Sequence, residues 1–191
     1  MKKRRVFILA VISFVIALSA VLVLQKNAAP ARLTTDEVAM LRGQYPVCSG
    51  SPPLIETVPL SLADCAAMSD TFLYGEIEGE AQVFSQNTSD FYEYTLVILS
   101  DTANQYKPGD RVTIAANILF KDYNPQFQDG MRIVTPIRAD QNIASRTYFG
   151  TEGTYYVTPD GYALSAFEET DTAFSGLRVE ALLEKLKEMQ K

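Results

Sequence analysis

Histidine and tryptophan are both absent from this chain of 191 residues. Without histidine, the sequence lacks the usual general base and the commonest metal ligand. Without tryptophan, it lacks the side chain that stacks best on sugars. The motifs of serine hydrolases, phosphate loops and dinucleotide sites are missing as well. We therefore expect a protein that is not an enzyme, with no catalytic residue, no bound metal and no cofactor.

Positive charge is scarce beyond the N-terminus. Five of the 17 lysine and arginine residues lie within the first 26 residues, whereas all 23 acidic residues follow them. The rest of the chain therefore carries 12 basic against 23 acidic side chains, a formal charge of −11. A surface this acidic repels phosphate backbones and anionic lipids. We expect no nucleic acid among the partners of this part of the chain.

The longest apolar run covers residues 6–24 and contains only two polar side chains, Ser13 and Ser19. As a helix it would be about 29 Å long, which matches the hydrocarbon core of a bilayer. The basic tail of residues 1–5 predicts a cytoplasmic N-terminus and a main domain outside the membrane. A cleaved signal of a secreted protein is the alternative, but both small-residue sites near Ala29 have a proline beside or inside the cleavage motif. The run therefore favours a single-pass membrane anchor.

Residues 25–60 are predicted to contain a short helix and a proline-rich linker. Thr34 and Glu37 fit a capping box, which predicts the start of the helix, and Gly43 predicts its end. Four prolines between residues 46 and 59 indicate an extended surface segment. A second capping box, formed by Ser61 and Asp64, opens the extracytoplasmic domain of residues 61–191.

Cys48 and Cys65 are the only two cysteines. An exported chain meets an oxidising environment, so we expect a structural disulfide between them. Closing this loop would contribute about 3 kcal/mol in the chain-entropy model. Two free thiols are the alternative, whereas the spacing fits neither a redox motif nor a metal site.

From Thr71 onward the hydrophobic period changes to two, which is typical of β-strands. Six strands are predicted, over residues 71–84, 91–99, 111–118, 131–137, 153–157 and 162–167. Turns instead of crossover helices join them, which favours antiparallel pairing. Glycines in the first strand indicate a bulge or a sharp bend. We expect a mainly β fold, an OB-like barrel or a sandwich, preceded by short helices.

An amphipathic helix is predicted at the C-terminus, from about Leu177 to Met189. Its apolar positions are Val179, Leu182, Leu183, Leu186 and Met189. We expect this stripe to dock on the sheet. A helix that binds a partner or a membrane surface is the alternative, but the mixed charge of its polar face does not suit lipid.

Several short motifs occur in order along residues 56–188. They are Val58-Pro59-Leu60-Ser61-Leu62, Tyr74-Gly75-Glu76-Ile77, Lys107-Pro108-Gly109-Asp110, Gly153-Thr154-Tyr155-Tyr156-Val157 and Ser175-Gly176-Leu177. With these motifs the chain resembles a group of uncharacterised exported proteins of Gram-positive bacteria. The resemblance implies a small OB-like β-barrel with a terminal helix, and it brings no catalytic residue with it. Residues 120–137 depart from the pattern of the group, which leaves the strand count open.

Two acidic patterns leave a rival function open. Glu76, Glu78 and Glu80 alternate along the first strand, which predicts that they share one face and could act together in a hydrolase. The loop from Asp122 to Gly130 offers oxygen ligands for calcium, although its spacing misses the EF-hand pattern. The simpler interpretation is a solvated strand face and a turn-rich loop. A secreted hydrolase or a calcium-dependent protein is therefore the alternative function.

The aromatic residues predict a binding surface. Tyr92, Tyr94, Tyr123 and Phe127 are the candidate ligand-binding residues, because rings on OB-like sheets stack on extended ligands. Strand alternation predicts that about half of the aromatic residues point into the core. We therefore expect a membrane-anchored, extracytoplasmic binding module that is held by residues 6–24 and whose partner is a cell-envelope protein or glycan.

Overall fold

The computed structural model describes residues 30–48, 60–86, 88–118, 124–139, 147–149, 152–167 and 173–191. Residues Arg32–Lys191 form one compact unit. The predicted anchor over residues 6–24 lies outside the described residues. Within the described ranges, no helix is both long enough and apolar enough to cross a membrane.

Both short helices begin at the capping boxes that the sequence predicts. Helix α1 covers Thr35–Leu41 and helix α2 covers Leu62–Met68. At α1, the Thr34 hydroxyl accepts a hydrogen bond from the Glu37 amide at 3.3 Å, and the Glu37 carboxylate accepts one from the Thr34 amide at 2.7 Å. Ser61 and Asp64 form the same reciprocal pair at α2. These bonds satisfy amide groups that have no partner within the first turn of a helix.

Seven strands follow and form one mainly antiparallel sheet. They are β1 (Thr71–Gln86), β2 (Ser89–Asp101), β3 (Arg111–Asn117), β4 (Arg132–Ala139), β5 (Thr147–Phe149), β6 (Tyr155–Val157) and β7 (Ala163–Ser165). Their order in the sheet is β1-β2-β3-β5-β4-β6-β7, and β1 also pairs with β4. The mainly β fold class and all six predicted strands are confirmed. Strand β5, of three residues, was not predicted.

One pairing differs from the prediction of a fully antiparallel sheet. Strands β3 and β5 run parallel, with Ile114 opposite Thr147 and Ala115 opposite Tyr148. Strand β2 is antiparallel to both β1 and β3, and strand β4 is antiparallel to both β1 and β5. Both β3 and β5 therefore run in the direction of β1, so they must be parallel where they meet.

Two glycines of β1 lie where the register of the sheet changes. The register between β1 and β2 shifts just before Gly75 and again between Glu78 and Gln82. Gly75 is packed so closely that an added Cβ would lie 2.6 Å from the carbonyl oxygen of Val97. Gly79 has a φ of +78°, which glycine adopts without strain. The bulge that these glycines predict is confirmed.

The inner face of the sheet forms the main core. Along β2, the buried residues Tyr94, Leu96 and Ile98 alternate with partly exposed ones, as a period of two requires. The other central strands contribute Leu73, Ile77, Val112, Ile114, Ile133 and Ile137. Each fully buried leucine or isoleucine side chain stabilises the fold by about 1.5–3 kcal/mol.

The C-terminal helix, α3 (Val179–Met189), packs on the opposite side of the sheet. Its buried residues are Val179, Leu182 and Leu186. They join a second hydrophobic cluster with Phe72 of β1 and Val134 of β4. The predicted docking of this helix on the sheet is therefore confirmed.

Residues around α1 cover the end of the sheet at β7. The Cys48 amide donates a hydrogen bond to the Ala166 carbonyl at 2.8 Å, just beyond the end of β7. The Arg42 guanidinium donates to the carbonyl of Ser165 at 2.7 Å. Such bonds satisfy backbone groups that an edge strand would otherwise expose.

Both cysteines are free thiols in the structure, so the predicted disulfide is not formed there. Burial raises the pKa of Cys48 to about 11 and that of Cys65 to about 12. Both thiols are therefore protonated at neutral pH. Sequence spacing determines the size of the loop between two cysteines, but a disulfide also needs Cβ atoms at bonding distance, which only the fold decides.

Candidate binding surface

The first two glutamates of the predicted acidic face lie beside arginines from other strands. Glu76 is directly opposite Arg132 of β4, and its Oε2 lies 3.0 Å from the Arg132 Nε. Glu78 accepts two hydrogen bonds from Arg111 of β3, at 2.7 and 2.8 Å. The Arg111 guanidinium holds the pKa of Glu78 below its usual value. A general acid of a hydrolase needs the opposite environment, one that raises the pKa of its carboxyl group.

The third glutamate, Glu80, lies in the bulge of β1. Between Glu78 and Gln82, β1 advances by four residues while β2 advances by two, from Thr95 to Glu93. The two extra residues interrupt the regular alternation on which a shared face of three carboxylates depends. Glu80 is exposed to solvent. The predicted row of carboxylates is therefore broken before its third member.

The predicted calcium loop contributes a structural contact. The Asp129 Oδ1 accepts a hydrogen bond from the Gly79 amide at 2.6 Å, so this carboxylate supports the bulge of β1. Asn124 is buried, and Asp122 lies outside the described residues. Among the residues that the structure describes, no group of three or more cysteine, aspartate and glutamate side chains could hold a metal ion.

Two of the four predicted ligand-binding residues belong to the core. Tyr94 and Phe127 are 3% and 6% exposed, and their rings meet edge to face with centroids 5.1 Å apart. Burial raises the pKa of the Tyr94 phenol. Tyr92 is partly buried against the same core, and Tyr123 lies outside the described residues. This corrects the prediction for Tyr94 and Phe127, because rings packed inside the domain are not accessible to a ligand.

The residues that alternate with the core on β2 and β3 form a partly exposed surface, which we call the outer face. It consists of Phe91, Glu93, Thr95, Val97 and Thr113, together with Phe84 and the ion pairs Glu78–Arg111 and Glu76–Arg132. The intervening residues Leu96 and Ile114 are buried, which fixes the direction in which the outer side chains point. The outer face therefore offers apolar, hydroxyl and carboxylate groups on a well-packed sheet, with two ion pairs beside them.

An aromatic pair lies at the tip of the β1–β2 hairpin. Phe84 and Phe91 are direct neighbours in the register, and their rings stack with centroids 5.1 Å apart and an interplanar angle of 13°. A pair of this kind contributes about 0.5–1.5 kcal/mol beyond burial. The adjacent Val83 is 61% exposed. Sequence reasoning did not predict this pair, although two phenylalanines at equal distances from one turn are a signal of cross-strand pairing.

No family model matches the chain, and no curated protein matches it. The likeness to exported proteins of Gram-positive bacteria therefore stays an expectation from sequence motifs. Strand pairing, burial and charge are the observations from which a function can be inferred.

Proposed function

We propose that this protein is a membrane-anchored, extracytoplasmic binding module built on an OB-like barrel, and that it performs no chemistry. The observation that carries the proposal is the outer face, where Phe91, Thr95, Val97 and Thr113 are accessible on a rigid sheet. A rigid sheet with accessible aromatic, aliphatic and hydroxyl groups suits an extended ligand. Its ion pairs, Glu78–Arg111 and Glu76–Arg132, are each neutral as a pair, and Arg111 holds the pKa of Glu78 below its usual value, which does not suit a general acid.

The order of the strands supports an OB-like barrel. The pairs β1–β2, β2–β3, β3–β5, β5–β4 and β4–β1 form a cycle of five neighbours. Strand direction cannot alternate throughout a cycle with an odd number of members, so one neighbouring pair has to be parallel. The parallel pair of β3 and β5 fits this requirement. OB-folds are five-stranded barrels that bind oligomeric ligands on the face of strands 2 and 3, which corresponds to the outer face.

Location and charge support the rest of the proposal. The apolar run of residues 6–24, preceded by a basic tail, suits a single-pass anchor with the domain outside the cytoplasm. A formal charge of −11 after Lys26 disfavours anionic polymers as ligands. The partner that fits best is a neutral or cationic component of the cell envelope.

Site-specific photo-crosslinking in intact cells tests the binding surface. A photoreactive amino acid is placed at Thr95 or Thr113 of the full chain and, as a matched control, at Glu184 on the exposed side of α3. We expect the two outer-face positions to crosslink to one discrete envelope component that Glu184 does not capture. Equal products from all three positions, or none from the outer face, would contradict the proposal.

The mass of the mature protein tests the anchor. An anchored protein keeps residues 1–24 and stays with the membrane fraction after alkaline extraction. Cleavage near Ala29 and release into the medium would instead support a secreted protein.

A further inference from the structure

The far half of β1 lies at an edge of the sheet. Strand β4 pairs with residues 71–76 of β1, and the Asp129 carboxylate holds the Gly79 amide at the bulge. In the part of the chain that the structure describes, β2 is the only strand beside residues 80–86, a segment that we call the β1 edge. An edge strand presents backbone groups on which a further strand can add.

The turn between β1 and β2 determines which backbone groups point outward. Gln86 and Ser89 are opposite each other across a two-residue turn, which makes them a hydrogen-bonded pair. Hydrogen-bonded and non-hydrogen-bonded pairs alternate along an antiparallel ladder. Ser85 and Val83, one and three positions before Gln86, therefore belong to non-hydrogen-bonded pairs, and their N–H and C=O groups point away from β2.

The β1 edge lacks two features that often protect an edge strand. Residues 81–86 contain no charged side chain and no proline, although the chain after Lys26 has a formal charge of −11. Val83 is 61% exposed. It lies opposite Tyr92, which packs partly against the main core as Ala81 does, so these side chains share one side of the hairpin. An exposed valine on an uncharged edge suits contact with another β-strand.

We propose that the β1 edge pairs antiparallel with the β1 edge of a second copy of this chain, about a two-fold axis at Val83. Val83 would lie opposite Val83 of the copy, and Ala81 opposite Ser85. These positions are two residues apart along the strand, so their backbone groups share the outward direction that a new ladder needs. One segment serves both partners, as a two-fold interface requires. This pairing is independent of the ligand proposed for the outer face.

Charge favours a second copy over a cationic strand. Glu80 is the only charged residue of the β1 edge, and the proposed register places it opposite Gln86 of the copy. The register therefore avoids opposite carboxylates, which destabilise a pair of strands. A cationic strand would meet one carboxylate only, at the end of the segment. In the pairing of two copies, Val83 packs on its equivalent and loses its exposure to water.

Cysteine crosslinking of the full-length chain in isolated membranes, under a mild oxidant, tests the register. Val83→Cys places two thiols opposite each other at the axis, where strand pairing gives a Cα separation of about 5.5 Å, within the range of a disulfide. Ala81→Cys and Ser85→Cys are matched controls, because each would lie about 14 Å along the strand from its own equivalent.

We expect a disulfide dimer from Val83→Cys alone. We also expect one when the Ala81→Cys and Ser85→Cys chains are produced together, but not from either of them by itself. The unaltered chain, whose thiols are Cys48 and Cys65, gives the background.

A charge at the axis gives a second test. Val83→Lys places two ammonium groups opposite each other, so self-association of the chain in non-ionic detergent, measured by sedimentation, should weaken about ten-fold. Leu99→Lys adds the same charge near the other end of β2, at a residue that is 38% exposed, and should have less than about a two-fold effect. Unchanged circular dichroism spectra would show that both variants are folded.

Three results would overturn this inference. They are the absence of a Val83→Cys dimer, equal dimer formation by all the single cysteine variants, and equal self-association of the two lysine variants. A photoreactive amino acid at Val83 distinguishes other occupants of the edge. Capture of a different protein instead of a second copy would overturn the inference as well.

Discussion

Replacement of Gly75 by alanine is the most direct test of how β1 fits between β2 and β4. The strand pairs with Ile98 on one side of Gly75 and with Ile133 on the other, so its backbone is held from both sides. An added Cβ would lie 2.6 Å from the carbonyl oxygen of Val97 and 2.7 Å from the Cγ of Leu96. Leu96 is fully buried and the carbonyl belongs to the backbone of β2, so neither can give way freely.

The expected loss of stability follows from two opposing terms. Overpacking of a core by one methyl group costs about 1–3 kcal/mol. Reduced freedom of the unfolded chain returns about 0.4–1 kcal/mol when glycine becomes alanine. Because the clash at Gly75 involves backbone, we expect a net loss of about 2 kcal/mol, which lowers Tm by roughly 4–8 °C in a domain of this size.

Gly43→Ala is the matched control. An added Cβ at Gly43 meets nothing within 4 Å, and its φ lies outside the left-handed region. Only the effect on the unfolded chain then operates, so this variant should be stabilised by about 0.4–1 kcal/mol.

Urea unfolding of a fragment of residues 30–191 can be followed by circular dichroism and tyrosine fluorescence, since the chain has no tryptophan. Equal stability changes in the two glycine variants, or a neutral effect at Gly75, would refute the packing described for β1.

The remaining predictions concern α3, the thiols and one ion pair. Leu182→Ala should cost about 2–5 kcal/mol in urea unfolding and the partly exposed Leu183→Ala much less, because only Leu182 is fully buried. Native Cys48 and Cys65 should resist alkylation at pH 8, since their pKa values of about 11 and 12 keep them protonated. Because these pKa values are raised, the contribution of the protonated thiols to the free energy of unfolding is fully present below about pH 9 and is lost as pH rises to 11 to 12. A variant with both cysteines replaced by alanine should not show this loss of stability. The pKa of Glu78 is lowered, so its contribution to stability is present above about pH 4.5 and is lost as pH falls through the folded value; acid unfolding of Glu78→Gln should lack this component.

Local features were predictable from the sequence because their causes lie within a few residues. The capping boxes at Thr34 and Ser61 join residues only three apart, and both occur in the structure. The period of two along β2 likewise reflects a property of a single strand. The C-terminal helix was predictable for the same reason, since its apolar stripe repeats at helical spacing.

The candidate site was predicted less well, because alternation defines two faces of a strand without saying which one is covered. Tyr94 and Phe91 are both aromatic residues of β2, yet Tyr94 is buried and Phe91 is partly exposed. Tyr94 packs against Phe127 in the core, which the alternation alone could not predict. Phe91 lies on the outer face because it is three residues from Tyr94 along β2, and therefore points to the opposite side of the sheet.

By itself, the sequence determined the mainly β class, six of the seven strands, the helix boundaries and the strong acidity of everything after Lys26. Tertiary structure alone decided the parallel pairing of β3 and β5, the separation of the two cysteines and the ion pairs of the acidic strand. The partners Glu78 and Arg111 are 33 residues apart, and Glu76 and Arg132 are 56 apart. Contacts at such separations depend on how the strands are ordered in the sheet, which is set by the burial of many side chains together and not by the pattern of any one segment.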